Sequence, residues 1–205
     1  MSSSLRGWVV RVGAALWVVA VAALFVGAGQ YRGTVGEPAQ APSQWPAELP
    51  FAPSAGQTTV VMLAHPRCPC TRASLDELDR LMAEVGDRAT AYVLFVRPPG
   101  VAAAWEQTDT WTRAHRIPHT QVRVDEGGAE SARLGALTSG QVVAFDSQGQ
   151  LVFSGGITAG RGHEGDNAGH ARLREIILGG QAATAPGPVF GCPLSELSQR
   201  RGDGT

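Results

Sequence analysis

Lysine is absent from the 205 residues; every one of the 17 basic side chains is arginine. This is a compositional bias of the kind a genome imposes, and it carries no site chemistry. Set against 18 acidic residues it leaves a formal net charge of −1. There is no basic excess to neutralise phosphates, so nucleic-acid binding is not expected. Cysteine is scarce, with three residues, too few for a scaffold stapled by disulfides. What the chain has in quantity is glycine (26) and proline (13), mostly outside the stretches that read as helices. A hydrophobic share of 43% argues against global disorder. The length allows one ordinary domain with extensions.

The longest apolar stretch runs from Val12 to Gly29 without a charged residue. At about 1.5 Å per helical residue it nearly spans a hydrocarbon core of about 30 Å, and Val9 and Val10 extend it if Arg11 snorkels. Arg6 and Arg11 precede the run and only Arg32 follows closely. That asymmetry places the N-terminus in the cytoplasm and the remainder outside. A cleaved signal peptide is the competing reading, with Val26-Gly27-Ala28 as its cleavage site. The run is longer than an ordinary signal core, so a single-pass anchor in a bacterial cytoplasmic membrane is expected, its domain facing the periplasm or exterior.

The chain then divides by composition into an anchor or signal (1–30), a proline-rich linker (31–56), a folded domain (57–182) and a C-terminal tail (183–205). The linker carries Pro38, Pro42, Pro46, Pro50 and Pro53 and should be extended; Trp45 and Phe51 are candidates for a strap packed onto the domain. Thr58 to Ala64 reads as a buried strand. A helix follows, with Leu75, Leu78, Leu81, Met82 and Val85 on one face and Asp76, Glu77, Asp79, Arg80 and Glu84 on the other; Gly86 ends it. Ala91 to Val96 is a second buried strand, so the unit calls for a right-handed crossover and a parallel pair. Further elements are a helix over Ala102–His115 with Trp105 and Trp111 packing, a strand over Thr120–Val124 and a short helix over Glu126–Leu134. Strands at Gln141–Phe145 and Gln150–Phe153 flank the turn Asp146-Ser147-Gln148-Gly149, and a last helix covers Asn167–Leu178. The expected class is α/β, a sheet covered on both faces.

Between the first strand and its helix stands His65-Pro66-Arg67-Cys68-Pro69-Cys70. A helix N-terminus presents unsatisfied N–H groups and partial positive charge, which stabilise a thiolate. With Pro69 at the first helical position, Cys68 becomes the N-cap, and Arg67 and Arg72 add positive charge. Cys68 is therefore the expected nucleophile and Cys70 the natural resolving thiol. His65 is either a turn residue satisfying a backbone group or a base or metal ligand. His115, His119 and His170 carry no motif and are expected at the surface.

These features resemble the thioredoxin-like superfamily over roughly Gln57 to Gly180. More narrowly the chain is similar to the RedB-like group of bacterial membrane-anchored thioredoxin-fold proteins. The segments carrying this are His65 to Ser74, Leu94-Phe95-Val96-Arg97-Pro98, Thr138-Ser139-Gly140, Gly155-Gly156-Ile157-Thr158, Arg161 to Asn167, and Pro188 to Leu194. The resemblance implies a central mixed sheet flanked by helices. It departs from ordinary thioredoxins in its Cys-x-Cys spacing and in having Gly140 where they place a cis-proline facing the cysteines.

Two further features remain. In the glycine–histidine loop, Arg161, His163, Asp166 and Asn167 form either a polar rim for a substrate or a solvated loop whose Asp166 caps the last helix. Cys192 is a free tail cysteine, a second resolving thiol or a third metal ligand. The leading function is an extracytoplasmic thiol–disulfide oxidoreductase acting on a protein or small-molecule partner, without a cofactor. One alternative is a protein binding copper or zinc through Cys68, Cys70, Cys192, His65 and His163. The other is a binding module that retains the fold but not the chemistry.

Overall fold

The computed structural model describes residues 3–37, 40–181 and 185–194. The N-terminal unit is one helix, α1 (Ser3–Arg32). Its segment Gly7–Arg32, 26 residues, is long and apolar enough to cross a membrane; at about 1.5 Å per residue it exceeds a hydrocarbon core of about 30 Å. The second unit begins at Val35.

In that unit β1 (Thr58–Ala64), α2 (Pro69–Val85) and β2 (Ala89–Arg97) form the crossover, and β1 and β2 pair in parallel from Thr58↔Ala89 to Ala64↔Phe95. Next come α3 (Asp109–Ala114), β3 (Thr120–Glu126), α4 (Ala129–Arg133), the hairpin β4 (Gln141–Phe145) and β5 (Leu151–Gly156), and α5 (Ala168–Ile177). The sheet order is β3-β2-β1-β4-β5, with β4 antiparallel to both β1 and β5.

β1 is buried along almost its whole length, and its side chains alternate between two cores. Val60, Met62 and Ala64 join Leu75, Leu78, Leu81 and Met82 of α2 and Leu173 and Ile176 of α5. Val61 and Leu63 face the other side with Leu94, Leu134, Val143 and Phe145. Among the described residues no long helix covers this second face. Ala41, Trp45, Leu49 and Phe51, from the segment read as linker, and Leu194, from the tail, pack there instead. Trp45 stands edge-on to both Phe51 and Phe145, with ring centroids at 5.6 and 5.2 Å.

Three local expectations need correction. The helix expected over Ala102–His115 is confined to α3, because Ala104 adopts a left-handed φ of 65°. Glu106 turns inward to Arg97 (3.2 Å), and Trp105 stands in a loop. The helix expected from Glu126 starts only at Ala129, after Gly127 and Gly128 take positive φ. Asp125 receives the first N–H groups of that helix, from Glu130 (2.9 Å) and Ser131 (3.0 Å). Glu77, assigned to the polar face of α2, points inward instead.

The Glu77 side chain is fully buried. Its carboxylate accepts the Gly165 N–H (2.6 Å), lies 2.9 Å from His170 Nδ1 and is 3.3 Å from Arg80. His170, expected at the surface, is buried on α5. One carboxylate thus ties α2 to α5 and to the glycine–histidine loop. Glu77→Ala strands the Gly165 N–H and His170 and should lower stability by about 3 kcal/mol. Glu77→Gln, which can still bond both, should lose less. Urea unfolding midpoints of the two variants check this, and equal midpoints would show that the carboxylate carries no such tie.

Candidate functional site: three thiols at one helix end

β1 ends at Ala64, and the chain reverses through residues 65–68 with the Cys68 N–H donating to the His65 carbonyl (3.1 Å). Pro69 opens α2 and Cys68 is its N-cap, in extended backbone (φ −84°, ψ 124°), as the position of the proline requires. Cys70 lies in the first turn. Because Cys68 is outside the helix proper, the opposition of side chains two residues apart on a regular helix does not apply to the pair.

Cys192 arrives from far along the chain. The tail first adds to the edge of β5: the Gly187 N–H donates to the Ser154 carbonyl (2.8 Å) and the Gly156 N–H to the Pro188 carbonyl (3.0 Å). It then runs against the loop before β4, where the Ser139 N–H donates to the Cys192 carbonyl (2.9 Å) and the Leu194 N–H to the Leu137 carbonyl (2.9 Å). The approach is close enough to demand glycine at 191, since a Cβ there would sit 1.9 Å from the Ser139 carbonyl oxygen. The result is a cluster: the sulfurs of Cys68, Cys70 and Cys192 all lie within 4.8 Å of one another, and all three are free thiols. Cys68 and Cys70 are 2% and 6% exposed, while Cys192 is half-buried.

The electrostatics are asymmetric. The Cys68 thiol is held far below the ordinary thiol range, first by the Cys192 thiol and then by the Cys70 thiol, both donating to its sulfur. Burial opposes this, and the backbone N–H groups of Cys192 and Cys70 support it. Cys70 is pushed well above the ordinary range, as donor to Cys192 and Cys68 and through burial. Cys192 is also raised, chiefly as donor to Cys68, with the positive charge of Arg161 partly offsetting. Cys68 is the thiolate of the three. The arginines expected to support it are engaged elsewhere: the Arg67 guanidinium stacks over Trp105 (4.6 Å) and Arg72 pairs with Asp109.

His65 is buried beside the cluster without joining the group of sulfurs. Its N–H donates to Ser139 Oγ (2.9 Å) and its Nδ1 accepts the Arg67 N–H (3.1 Å). Its ring stands edge-on to Trp105, and Nε2 has no partner among the described residues. Burial lowers its pKa most, so it is neutral near pH 7. Thr71 Oγ donates to the His65 carbonyl (2.9 Å) and lies 3.0 Å from Ser139 Oγ. Ser139 thus links the cysteine turn to the Cys192 strap. Neither Ser139 nor Trp105 stood out in sequence as a site residue. Gly140, with φ +88°, donates its N–H to the Leu63 carbonyl (2.7 Å).

The glycine–histidine loop divides. Arg161 acts on Cys192. His163 and Asp166 are exposed, and His163 is outside the sulfur group. The helix cap is Asn167 and not Asp166: Asn167 Oδ1 accepts the His170 N–H (2.8 Å), and its Nδ2 donates to the carbonyls of Ile157 and Gly165 (both 3.0 Å). An amide both accepts and donates here, which a carboxylate cannot do.

No family model matches the chain, and no curated relative matches it. Solved structures do. An uncharacterised conserved protein from Geobacillus kaustophilus is 15% identical, with a TM-score of 0.55 over 78% of this chain and 91% of that one. A hypothetical protein from Sinorhizobium meliloti 1021 is 16% identical, with a TM-score of 0.53 over 78% and 93%. StoA from Bacillus subtilis is 13% identical, with a TM-score of 0.44 over 69% and 98%. At these identities the likeness concerns the fold. With its crossover, closing hairpin, final helix and cysteines at the β1–α2 junction, that fold is thioredoxin-like.

If the Cys192 thiol supports the Cys68 thiolate, Cys192→Ala should raise the Cys68 pKa by about one unit or more, a tenfold loss of thiolate well below the midpoint. Gly191→Ala keeps all three cysteines but forces the strap, and Cys192 with it, away from Ser139, and should shift the pKa in the same direction. Thiolate absorbance near 240 nm against pH reads both; an unmoved midpoint would show that the strap contributes nothing.

Proposed function

We propose that this chain is an extracytoplasmic thiol–disulfide oxidoreductase of the RedB-like kind, anchored by α1, with Cys68 as attacking thiol. The observation that supports it is the Cys68 thiol at the start of α2, favoured toward thiolate by two further thiols in the same cluster. Exchange proceeds by thiolate attack. In the reducing direction Cys68 attacks one sulfur of a partner disulfide, a mixed disulfide forms and the other partner sulfur leaves as thiolate. Cys70 or Cys192 then gives up its proton and attacks the Cys68 sulfur, releasing the second partner thiol. Two electrons pass to the partner and the chain keeps an intrachain disulfide. Run backwards, the same steps oxidise a dithiol partner.

Cys68 is buried and Cys192 is the more exposed of the thiols clustered with it. Arg161 places positive charge near Cys192, and the Arg67–Trp105 pair stands at the cysteine turn.

Cys68→Ser should reduce insulin disulfide reduction by at least tenfold relative to the parent. Trypsin mapping of the oxidised parent should find Cys68 bonded either within the peptide 68–72 or to the peptide carrying Cys192. Undiminished activity in Cys68→Ser, or Cys68 left free after oxidation, would reject the assignment.

The placement outside the cytoplasm rests on Arg6 and Arg11 preceding the apolar run. Alkaline phosphatase fused after Thr205 should be active; an inactive fusion, with a cytoplasmic reporter active in its place, would reverse the topology.

A further inference from the structure

We infer that the reduced three-thiol cluster is also a binding site for one Cu(I) ion, with the sulfurs of Cys68, Cys70 and Cys192 as its ligands. This goes beyond disulfide exchange. It rests on the juxtaposition of the sulfurs, on the lack of a fourth ligand among the described residues and on burial.

An ion with metal–sulfur bonds of about 2.3 Å holds three thiolates about 4 Å apart in a trigonal plane. The three sulfurs already lie within 4.8 Å of one another, so closing around an ion takes small side-chain rotations with the backbone in place. The backbone is itself fixed: Cys68 by the turn from His65, Cys70 by the first turn of α2, and Cys192 by the Ser139 bond and the fit of Gly191.

Ligand number and type choose the metal. Among the described residues no further cysteine, histidine or carboxylate joins the group. Structural zinc takes four protein ligands, and calcium and magnesium take oxygen. Three soft sulfurs without a fourth donor suit Cu(I), which accepts three-coordinate thiolate. Burial of Cys68 and Cys70 keeps water off the ion, and the half-buried Cys192 is the side by which it enters.

Protons and charge balance as follows. Binding as three thiolates releases to solvent the protons that the thiols carry. Affinity should therefore rise with pH. The anionic loaded site faces the α2 N-terminus and the positive charge of Arg161, which offset part of its charge. No electron moves. Exchange with a partner disulfide, which takes up two electrons as it becomes two thiols, would join two of the ligands in an intrachain disulfide and so release the ion.

The test uses full-length protein in detergent, fully reduced under anaerobic conditions and titrated with Cu(I) against bicinchoninate. The parent should withdraw one equivalent. Cys68→Ser, Cys70→Ser and Cys192→Ser should each weaken binding by more than the roughly 10–100-fold typical of losing an outer-shell partner. X-ray absorption of the loaded parent, which needs no variant, should show three sulfurs at about 2.3 Å and no nitrogen. Failure of the parent to compete, a two-sulfur shell, or Cys192→Ser binding as the parent does would overturn the proposal. So would a Zn(II) site with four protein ligands in a parallel titration. Neither readout involves disulfide turnover, so failure here leaves the oxidoreductase reading standing, and the converse holds.

Discussion

The whole arrangement follows from one strand that has no polar face. β1 is apolar on both sides and lies between β2 and β4, so both faces of the sheet must be covered. Helices α2 and α5 cover the first, at roughly 2 kcal/mol for each fully buried leucine or methionine. The second has no helix of comparable length. Residues from the proline-rich segment, the end of the short α4 and the tail at Leu194 cover it together, through Trp45, Leu49, Phe51, Leu134 and Leu194. Leu194 is two residues from Cys192. The apolar demand of the sheet therefore brings the third thiol to the first two. Cysteine chemistry and core packing share one segment, and loosening Leu194 should disturb Cys192 before it disturbs the fold.

Buried polar contacts then set the precision of the site. Glu77 anchors the glycine–histidine loop from below, Asn167 closes that loop onto α5, and Ser139 joins the cysteine turn to the strap. Thr108 and Thr110 donate to the Pro66 carbonyl (3.1 and 2.9 Å), fixing the turn from the α3 side. Each satisfies a backbone group that would otherwise be buried without a partner, at about 1–3 kcal/mol apiece. The cysteine turn is thus held by side-chain contacts from Ser139, Thr108 and Thr110, and the strap by backbone bonds and the buried Val189 and Leu194.

Much of this was legible in the residues. β1, α2 and β2 have clear periodicity, Pro69 marks the helix start, and the hairpin announces itself through Asp146 and Gly149. All of these are local signals. What escaped is long-range. Glu77 sits at a position that reads as polar face, and only His170 and Gly165, some 90 residues away in sequence, make it an inward residue. His170 looked like a surface histidine for the same reason. Trp105 reads as a helical residue because nothing in its neighbours reveals the left-handed Ala104. Asp166 and Asn167 are adjacent and both are good caps by type; the choice depends on the Ile157 carbonyl, which needs a donor. Cys192 could be flagged by its apolar neighbours Val189 and Phe190, but its meeting with Cys68 depends on the Gly191–Ser139 contact, which has no local signature.

The source of Cys68 acidity has a chemical consequence. In the simplest helix-end picture, fixed dipoles and arginines stabilise the thiolate and persist whatever the other thiols do. Here the leading support is two S–H donors, and those donors are themselves reactive. Oxidation joins Cys68 to one of them, so a single event consumes both the thiolate and a donor that stabilised it. The stabilisation belongs to the reduced state alone. A dithiol whose reduced form is selectively stabilised yields a more oxidising disulfide. Arg67 and Arg72 would have stabilised the thiolate without being consumed, but they are held by Trp105 and Asp109. The cluster is therefore biased toward giving up its disulfide, and the bias resides in the position of Cys192, set by a glycine contact and by the apolar face that the tail must cover.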